Sequence, residues 1–129
     1  MIVVDSSIWI ANLRGINSPQ VRALRTIPDP DQIVVGDLIL LEVLQGAIDD
    51  THAVRLESYL RTFRVERMVD DILAVKAARN YRILRSHGIT VRKTIDLIVA
   101  TFCIERDYAL LQDDRDYEPM VARLGLRTM

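Results

Sequence analysis

The chain has 129 residues, half of them hydrophobic, which is the size and composition of one globular domain with a core of its own. A single cysteine excludes an intramolecular disulfide, which fits a reducing compartment. No apolar run reaches the roughly 18 residues of a membrane helix, and the opening segment has no basic residue ahead of an apolar stretch. We therefore expect neither membrane association nor a signal peptide, and we place the protein in the cytoplasm. The formal net charge of −1 gives no overall sign of a nucleic-acid-binding protein.

The first half of the chain predicts short strands alternating with helices. Residues 2–4 are a β-branched run that favours a buried strand, followed by a helix capped by Ser6 or Ser7. Ser18 followed by Pro19 opens a second helix. A strand at residues 32–35 leads into a helix capped by Asp37, and residues 51–63 form another helix.

The second half continues the same alternation. Residues 65–69 predict a strand, and Asp70 or Asp71 caps a long helix that ends before Gly88. Thr94 caps the next helix, a strand follows at residues 108–111, and residues 117–124 and 126–129 predict a short helix and an edge strand. The pattern indicates an α/β fold: one domain over residues 1–129, with a mainly parallel sheet of four or five short strands flanked by helices.

Acidic residues stand at the places where such a sheet binds ligands, outside the carboxyl ends of its strands. Asp5 follows the first strand, and Asp114 follows the fourth, with Asp116 close by. Asp96 lies in the first turn of an apolar helix, and Glu42 lies inside the apolar run LILLEVL. Each alone is explained as a cap or a rim residue, but together they predict a carboxylate cluster.

Carboxylates that converge repel one another unless a cation lies between them. Oxygen ligands, with no clustered histidine and no second cysteine, favour Mg²⁺ or Mn²⁺ over Zn²⁺. Two such ions about 4 Å apart bind a phosphodiester, activate a water and stabilise the leaving oxygen. The acids therefore predict a metal-dependent hydrolase acting on phosphodiester bonds.

A basic segment complements the acids, since residues 72–95 contain six Lys or Arg residues and no Asp or Glu. Arg92 and Lys93 immediately precede the helix of Asp96 and are the first candidates for contacts with the phosphates of the substrate. Arg79 and Arg82 are further candidates on the preceding helix, although a solvated basic face explains them equally well.

Four segments together resemble the PIN-domain ribonucleases, specifically the VapC toxins of bacterial type II toxin–antitoxin pairs. They are DSSIW at residues 5–9, LEVLQG at 41–46, GITVRKTIDLIVA at 88–100 and LLQDDRDY at 110–117. Their order and spacing cover essentially the whole chain, which makes the resemblance specific.

The resemblance implies metal-dependent cleavage of RNA that leaves a 5′-phosphate, homodimers, and a small VapB-type antitoxin that blocks the acidic pocket. Asp5, Glu42 and Asp96 match the family's most characteristic acids. Asp114 ranks first and Asp116 second as the fourth acid. The resemblance also gives Ser6 a supporting role beside Asp5 or a metal-bound water. Tyr117 stands where phenylalanine is commoner in the family, a difference expected to leave the chemistry unchanged.

Two other functions compete with this interpretation. The first is a catalytically silent PIN-like module that binds RNA or protein, but the presence of all four acids argues against it. The second is a phosphoacceptor receiver domain, which needs an acidic pair directly after the first strand. Asp5 is instead followed by Ser6 and Ser7, so we consider a receiver domain remote.

Overall fold

The structure is a computed structural model that describes residues 1–129, and short strands alternate with helices along it. The elements in chain order are β1 (Ile2–Val4), α1 (Ser6–Leu13), α2 (Pro19–Arg25), β2 (Ile33–Gly36), α3 (Asp37–Gln45), α4 (Asp50–Leu60), β3 (Arg64–Glu66), α5 (Asp71–Ser86), α6 (Thr94–Arg106), β4 (Ala109–Leu111), α7 (Glu118–Leu124) and β5 (Arg127–Thr128). Short 3-10 turns lie at Pro30–Gln32 and Arg115–Tyr117. The predicted α/β class is confirmed.

The sheet has five strands in the order β3-β2-β1-β4-β5. Strand β1 is parallel to β2, with Ile2 opposite Ile33, and β2 is parallel to β3. Strands β4 and β5 are also parallel, with Ala109 opposite Arg127. The predicted parallel sheet of four or five strands is therefore confirmed. Strand β2 is buried along its whole length, which explains its continuous apolar sequence.

The chain forms two compact units. The first, here called the N-unit, comprises Met1–Arg67 and Leu111–Asp113; the second, the C-unit, comprises Met68–Leu110 and Asp114–Met129. In the N-unit, the fully buried Trp9 packs against Phe63 and Tyr59, with ring centroids 5.0 and 6.0 Å away. This aromatic cluster ties α1 to the end of α4.

The core of the C-unit centres on α6, whose residues from position 96 to 103 are almost all buried. Helix α5 packs along it. An exposed ion pair joins Lys76 to Glu105 at 2.7 Å, and Asn80 donates to the buried Thr101 hydroxyl at 3.1 Å. The apolar sequence of α6 is therefore explained by burial inside the fold. None of the seven helices has both the length and the apolar character needed to cross a membrane.

Three predicted helix caps are wrong by one or two residues. The cap of α1 is Asp5 rather than Ser6 or Ser7, the cap of α3 is Gly36, and the cap of α6 is Lys93. In contrast, Ser18 caps α2 as predicted, and Asp70 rather than Asp71 caps α5, its carboxylate accepting from the backbone N–H of Leu73 at 2.8 Å.

Candidate functional site

Three carboxylates converge in the C-unit: Asp96, Asp114 and Asp116 each offer an oxygen atom, and these atoms all lie within 4.8 Å of one another. Asp96 comes from the first turn of α6 and is only 8% exposed. Asp114 is the cap of the 3-10 turn that contains Asp116, and its Oδ1 accepts from the Asp116 N–H at 2.9 Å. Because this turn fixes the two acids relative to each other, the local sequence DDRD supplies two of the three acids of the cluster.

Asp96 is held by two neighbours that approach its two oxygens separately. The Tyr117 hydroxyl donates to Oδ1 at 3.3 Å, and the tyrosine is fully buried. The ammonium group of Lys93 lies 3.9 Å from Oδ2. Lys93 is the cap of α6, three residues before Asp96, so the start of the helix brings the cation to the acid.

Lys93 also forms a hydrogen-bonded ion pair with Asp114, with Nζ 3.2 Å from Oδ2. The hydrogen bond to Asp114, followed by the negative charge of Asp96, raises the pKa of Lys93 above its ordinary value. The pKa of Asp114 is lowered, first by the backbone N–H of Asp116 and then by Lys93, against an opposing effect of burial. Both shifts favour the charged forms, so Lys93 and Asp114 face each other as an ammonium group and a carboxylate.

A cleft of about 400 Å³ opens beside this cluster. Its charged lining consists of Asp96, Asp116, Arg92, Lys93 and Arg115, over apolar side chains that include Met120. Cations and carboxylates therefore line the same depression. Such a cleft can bind the phosphate of an anionic chain through its basic side while the acids hold a cation.

The donor set of the cluster fits the predicted metal. All three groups are carboxylates, with no nitrogen or sulfur donor among them, as hard cations such as Mg²⁺ and Mn²⁺ prefer. The buried position of Asp96 and the fixed turn at Asp114 hold two of the donors in place.

The two remaining predicted acids belong to the N-unit. Asp5 directly follows β1 and is 6% exposed, and its N–H donates to the carbonyl of Leu111 at 2.9 Å. The Ser7 hydroxyl donates to its Oδ2 at 3.5 Å. The supporting role of Ser6 therefore stays a prediction.

Glu42 lies on α3, half-buried, next to the buried Val43. The neighbouring Leu41 is 49% exposed, so Glu42 lies at the border between the buried and the exposed faces of the helix. A carboxylate at such a border keeps its head group accessible while its stem packs against apolar neighbours.

The basic segment divides between separate surfaces. Arg92 and Lys93 line the acidic cleft, as predicted for residues near the acids. Arg79 and Arg82 are exposed on α5, and Arg82 lines a different, mainly apolar groove together with Tyr81. The structure thus brings the first pair, and not the second, to the carboxylate cluster.

Comparison with known proteins identifies the family. The sequence profile of the PIN domain matches residues 2–121. The chain belongs to the PIN domain family. The resemblance seen in the sequence is therefore confirmed, and the cluster described above is part of a PIN domain.

Similar proteins span the whole of this PIN domain. Ribonuclease VapC11 of Mycobacterium tuberculosis is 29% identical over 127 residues, covering 96% of this chain and 93% of that protein. The structure of VapBC2 from Rickettsia felis, bound to a DNA fragment from their promoter, matches with a TM-score of 0.79 and 13% identity, covering 100% of this chain and 98% of that one. A toxin–antitoxin complex from Klebsiella pneumoniae matches with a TM-score of 0.69 and 18% identity over 91% and 90% of the two chains. At these identities the structural matches show the fold.

Sequence reasoning missed two residues of the site in this PIN domain. Arg115 lines the cleft, but between two aspartates it looks like an ordinary turn residue. Tyr117 contacts Asp96, which is distant in sequence, so only tertiary structure reveals the hydrogen bond. The only sequence signal that contains both Arg115 and Tyr117 is the motif DRDY, which Gln112 and Asp113 separate from the end of β4.

Proposed function

We propose that this PIN domain is a VapC-type endoribonuclease toxin that hydrolyses RNA phosphodiester bonds with the help of Mg²⁺ or Mn²⁺. The observation that carries the proposal is the cluster of three carboxylates within 4.8 Å, beside a cleft lined by Arg92, Lys93 and Arg115. The name of the similar ribonuclease VapC11 supports the same activity.

The metal-holding role is assigned to Asp96, Asp114 and Asp116, with Asp5 and Glu42 as further acids of the same reaction. Asp114 remains the first choice for the fourth catalytic acid, since it is the less exposed of the two candidates and is fixed by the turn. Asp116 is proposed as an additional metal ligand. The assignment of Asp5 and Glu42 rests on their match to the motifs of the family.

A bound divalent cation polarises the scissile phosphate and lowers the pKa of an attacking water. The chain's own residues bind the phosphates of the RNA and orient the acids that hold the cation. Tyr117 holds Asp96 in one orientation through its hydroxyl, and Arg92 and Arg115 bind phosphate oxygens by charge and hydrogen bonds. Lys93 is a third phosphate contact, and Arg79 and Arg82 extend RNA binding along α5.

The proposal includes the protein's partners and its setting. A small VapB-type antitoxin neutralises the toxin, as the similar toxin–antitoxin complex from Klebsiella pneumoniae suggests. The chain acts in the cytoplasm as a homodimer in which residues 1–129 function as one nuclease domain. Analytical ultracentrifugation of the purified chain tests the dimer directly.

The first prediction concerns Asp96→Asn, which keeps an oxygen acceptor for Tyr117 but removes the charge that a cation needs. We expect RNA cleavage in Mg²⁺ or Mn²⁺ to fall at least about 100-fold, because even an indirect partner of a metal ligand contributes about 10- to 100-fold. The melting curve should change little. The measurement is the rate at which new 5′-phosphate ends appear in total RNA.

Asp113→Asn is the matched control, since Asp113 is exposed and immediately precedes Asp114. The same chemical change there should leave cleavage at the wild-type rate. Equal rates for Asp96→Asn and the control contradict the role of Asp96. RNA binding by the wild-type protein without metal-stimulated cleavage supports the catalytically silent module instead.

A further inference from the structure

The ammonium group of Lys93 lies where a cation would bind to the carboxylate cluster. Its Nζ is 3.2 Å from Oδ2 of Asp114 and 3.9 Å from Oδ2 of Asp96. The other oxygen of each acid is engaged by a different donor: the Asp116 N–H contacts Oδ1 of Asp114, and the Tyr117 hydroxyl contacts Oδ1 of Asp96. Lys93 thus approaches the second oxygen, Oδ2, of both acids.

Lys93 can leave this position without loss of structure elsewhere. It is the cap residue of α6, yet its side chain makes no capping hydrogen bond. The side chain is 60% exposed, and its only ion pairs are those with Asp96 and Asp114. The ion pair with Asp114 is partly exposed on both sides, and surface ion pairs of that kind contribute only about 0–1 kcal/mol. The nearly buried Asp96 is farther from the ammonium group, at 3.9 Å. The ammonium group is therefore held weakly enough to be exchanged.

We infer that Lys93 is a built-in competitor of the divalent cation: its ammonium group offsets part of the negative charge of Asp96 and Asp114 in the metal-free protein and is displaced when the ion binds. This inference rests on the proposed function, because it presupposes that the cluster takes up Mg²⁺ or Mn²⁺. The physical reason is electrostatic, since an ammonium and a divalent ion cannot share the same two oxygens without strong repulsion between them.

The displacement has a consequence for the substrate. Lys93 lines the cleft together with Arg92 and Arg115, so a displaced ammonium group remains beside these two cations. When the metal ion binds, the ammonium group of Lys93 thus joins Arg92 and Arg115 as a third positive charge available to the phosphate of the substrate. The same residue protects the empty cluster from self-repulsion and adds to phosphate binding once the ion has taken its place.

Lys93→Gln tests the competition, with Mn²⁺ binding to the purified chain measured by titration calorimetry in the absence of RNA. We expect the dissociation constant for Mn²⁺ to fall about fivefold, the size expected for the loss of a competing exposed ion pair. Arg92→Gln is the matched control, because it removes the same charge from the adjacent residue, which forms no ion pair with the acids. It should change the dissociation constant less than twofold.

Lys93→Arg provides a second variant that keeps the charge, and it should bind Mn²⁺ with the wild-type affinity. Independently, the side-chain ammonium resonance of Lys93 in the wild-type protein should shift when Mg²⁺ is added, as its carboxylate partners are lost. Both measurements keep the inference testable if Lys93→Gln does not fold.

Three outcomes overturn the inference. Lys93→Gln binds Mn²⁺ no more tightly than the wild type, or Arg92→Gln gains as much affinity, or the Lys93 resonance does not respond to Mg²⁺. Each of these leaves the proposed metal-dependent activity intact. Absence of Mn²⁺ binding in the wild type and in every variant overturns the inference and the metal dependence together.

Discussion

At the scale of single residues, Tyr117 and Asp96 form a polar contact inside the C-unit. The tyrosine is fully buried and its hydroxyl lies 3.3 Å from Oδ1 of Asp96, which is itself nearly buried. A buried hydroxyl needs a hydrogen-bond partner, and a buried carboxylate is more stable when donors surround it. The tyrosine therefore fixes one acid of the proposed metal site, although the resemblance to the family suggested that phenylalanine would serve equally well.

Tyr117→Phe tests this contact, because it removes the hydroxyl and keeps the ring. We expect the free energy of unfolding to fall by about 1 kcal/mol, the usual value for one buried hydrogen bond. The affinity for Mn²⁺ should fall about tenfold, the lower end of the loss seen when a partner of a metal ligand is removed. Denaturant unfolding and Mn²⁺ titration measure the two effects.

Tyr81→Phe is the matched control for that change, since Tyr81 is half-buried and lines a separate groove beside α5. It should leave the Mn²⁺ affinity as it is in the wild type. If Tyr117→Phe binds Mn²⁺ as well as Tyr81→Phe does, the hydroxyl has no part in holding Asp96 for the metal.

The residues of the cluster differ in how far sequence alone could identify them. Asp96, Asp114 and Asp116 were predicted because acids after a strand and at a helix start are visible in the order of the chain. Tyr117 was missed as a functional residue because its contact with Asp96 joins α6 to the turn after β4, across 21 positions. A side-chain contact of that separation depends on tertiary packing, which no local pattern reports.

At the scale of the elements, the sequence predicted the presence of every strand and helix, but three helix caps are misplaced and other bounds differ by one to three residues, as at β3, which ends at Glu66 rather than at residue 69. Asp5, Gly36 and Lys93 are the caps of α1, α3 and α6, and none makes a side-chain capping bond. All three have extended backbone angles, as residues at the N-cap of a helix usually do. A capping preference is worth only about 1 kcal/mol, so tertiary constraints override it. Since Lys93 is the cap of α6, it lies about one turn before Asp96.

Helix α5 provides the test of a cap that does form. Asp70 accepts from the Leu73 N–H at 2.8 Å, whereas Asp71 is the first helical residue. Asp70→Ala should lower the free energy of unfolding by about 1 kcal/mol. Asp71→Ala should lower the free energy of unfolding by only a few tenths of a kcal/mol at moderate salt, since it loses only a screened interaction with the helix dipole. Equal losses in denaturant unfolding would show that the capping bond contributes nothing of its own.

At the scale of the whole molecule, a net charge of −1 conceals a marked separation of charge. The basic residues from position 72 to 95 do not act as one surface. Lys76 is paired with Glu105, Arg82 lies along an apolar groove, and Arg92 lines the acidic cleft. The count of charged residues identified the positive segment correctly. Its division among surfaces, however, depends on the direction in which each residue points around the axis of α5 and on the loop that leads into α6. We therefore expect the salt dependence of RNA affinity to be determined by the cations that line the cleft and not by the net charge of the chain.

Charge reversal at the cleft tests this view of RNA binding. Arg92→Glu combined with Arg115→Glu, in an Asp96→Asn background that leaves the RNA uncut, should weaken binding of single-stranded RNA at low salt. The slope of log affinity against log salt should become shallower by about 1.4, because each phosphate contact on a single strand contributes about 0.7.

Arg79→Glu with Arg82→Glu is the comparison pair, since it reverses the same charge on α5, away from the cleft. A smaller change in slope there is expected for residues that make fewer phosphate contacts. An unchanged slope in the Arg92 and Arg115 variant would exclude these two residues from the RNA interface, whereas an equal change in both pairs would extend the RNA path along α5.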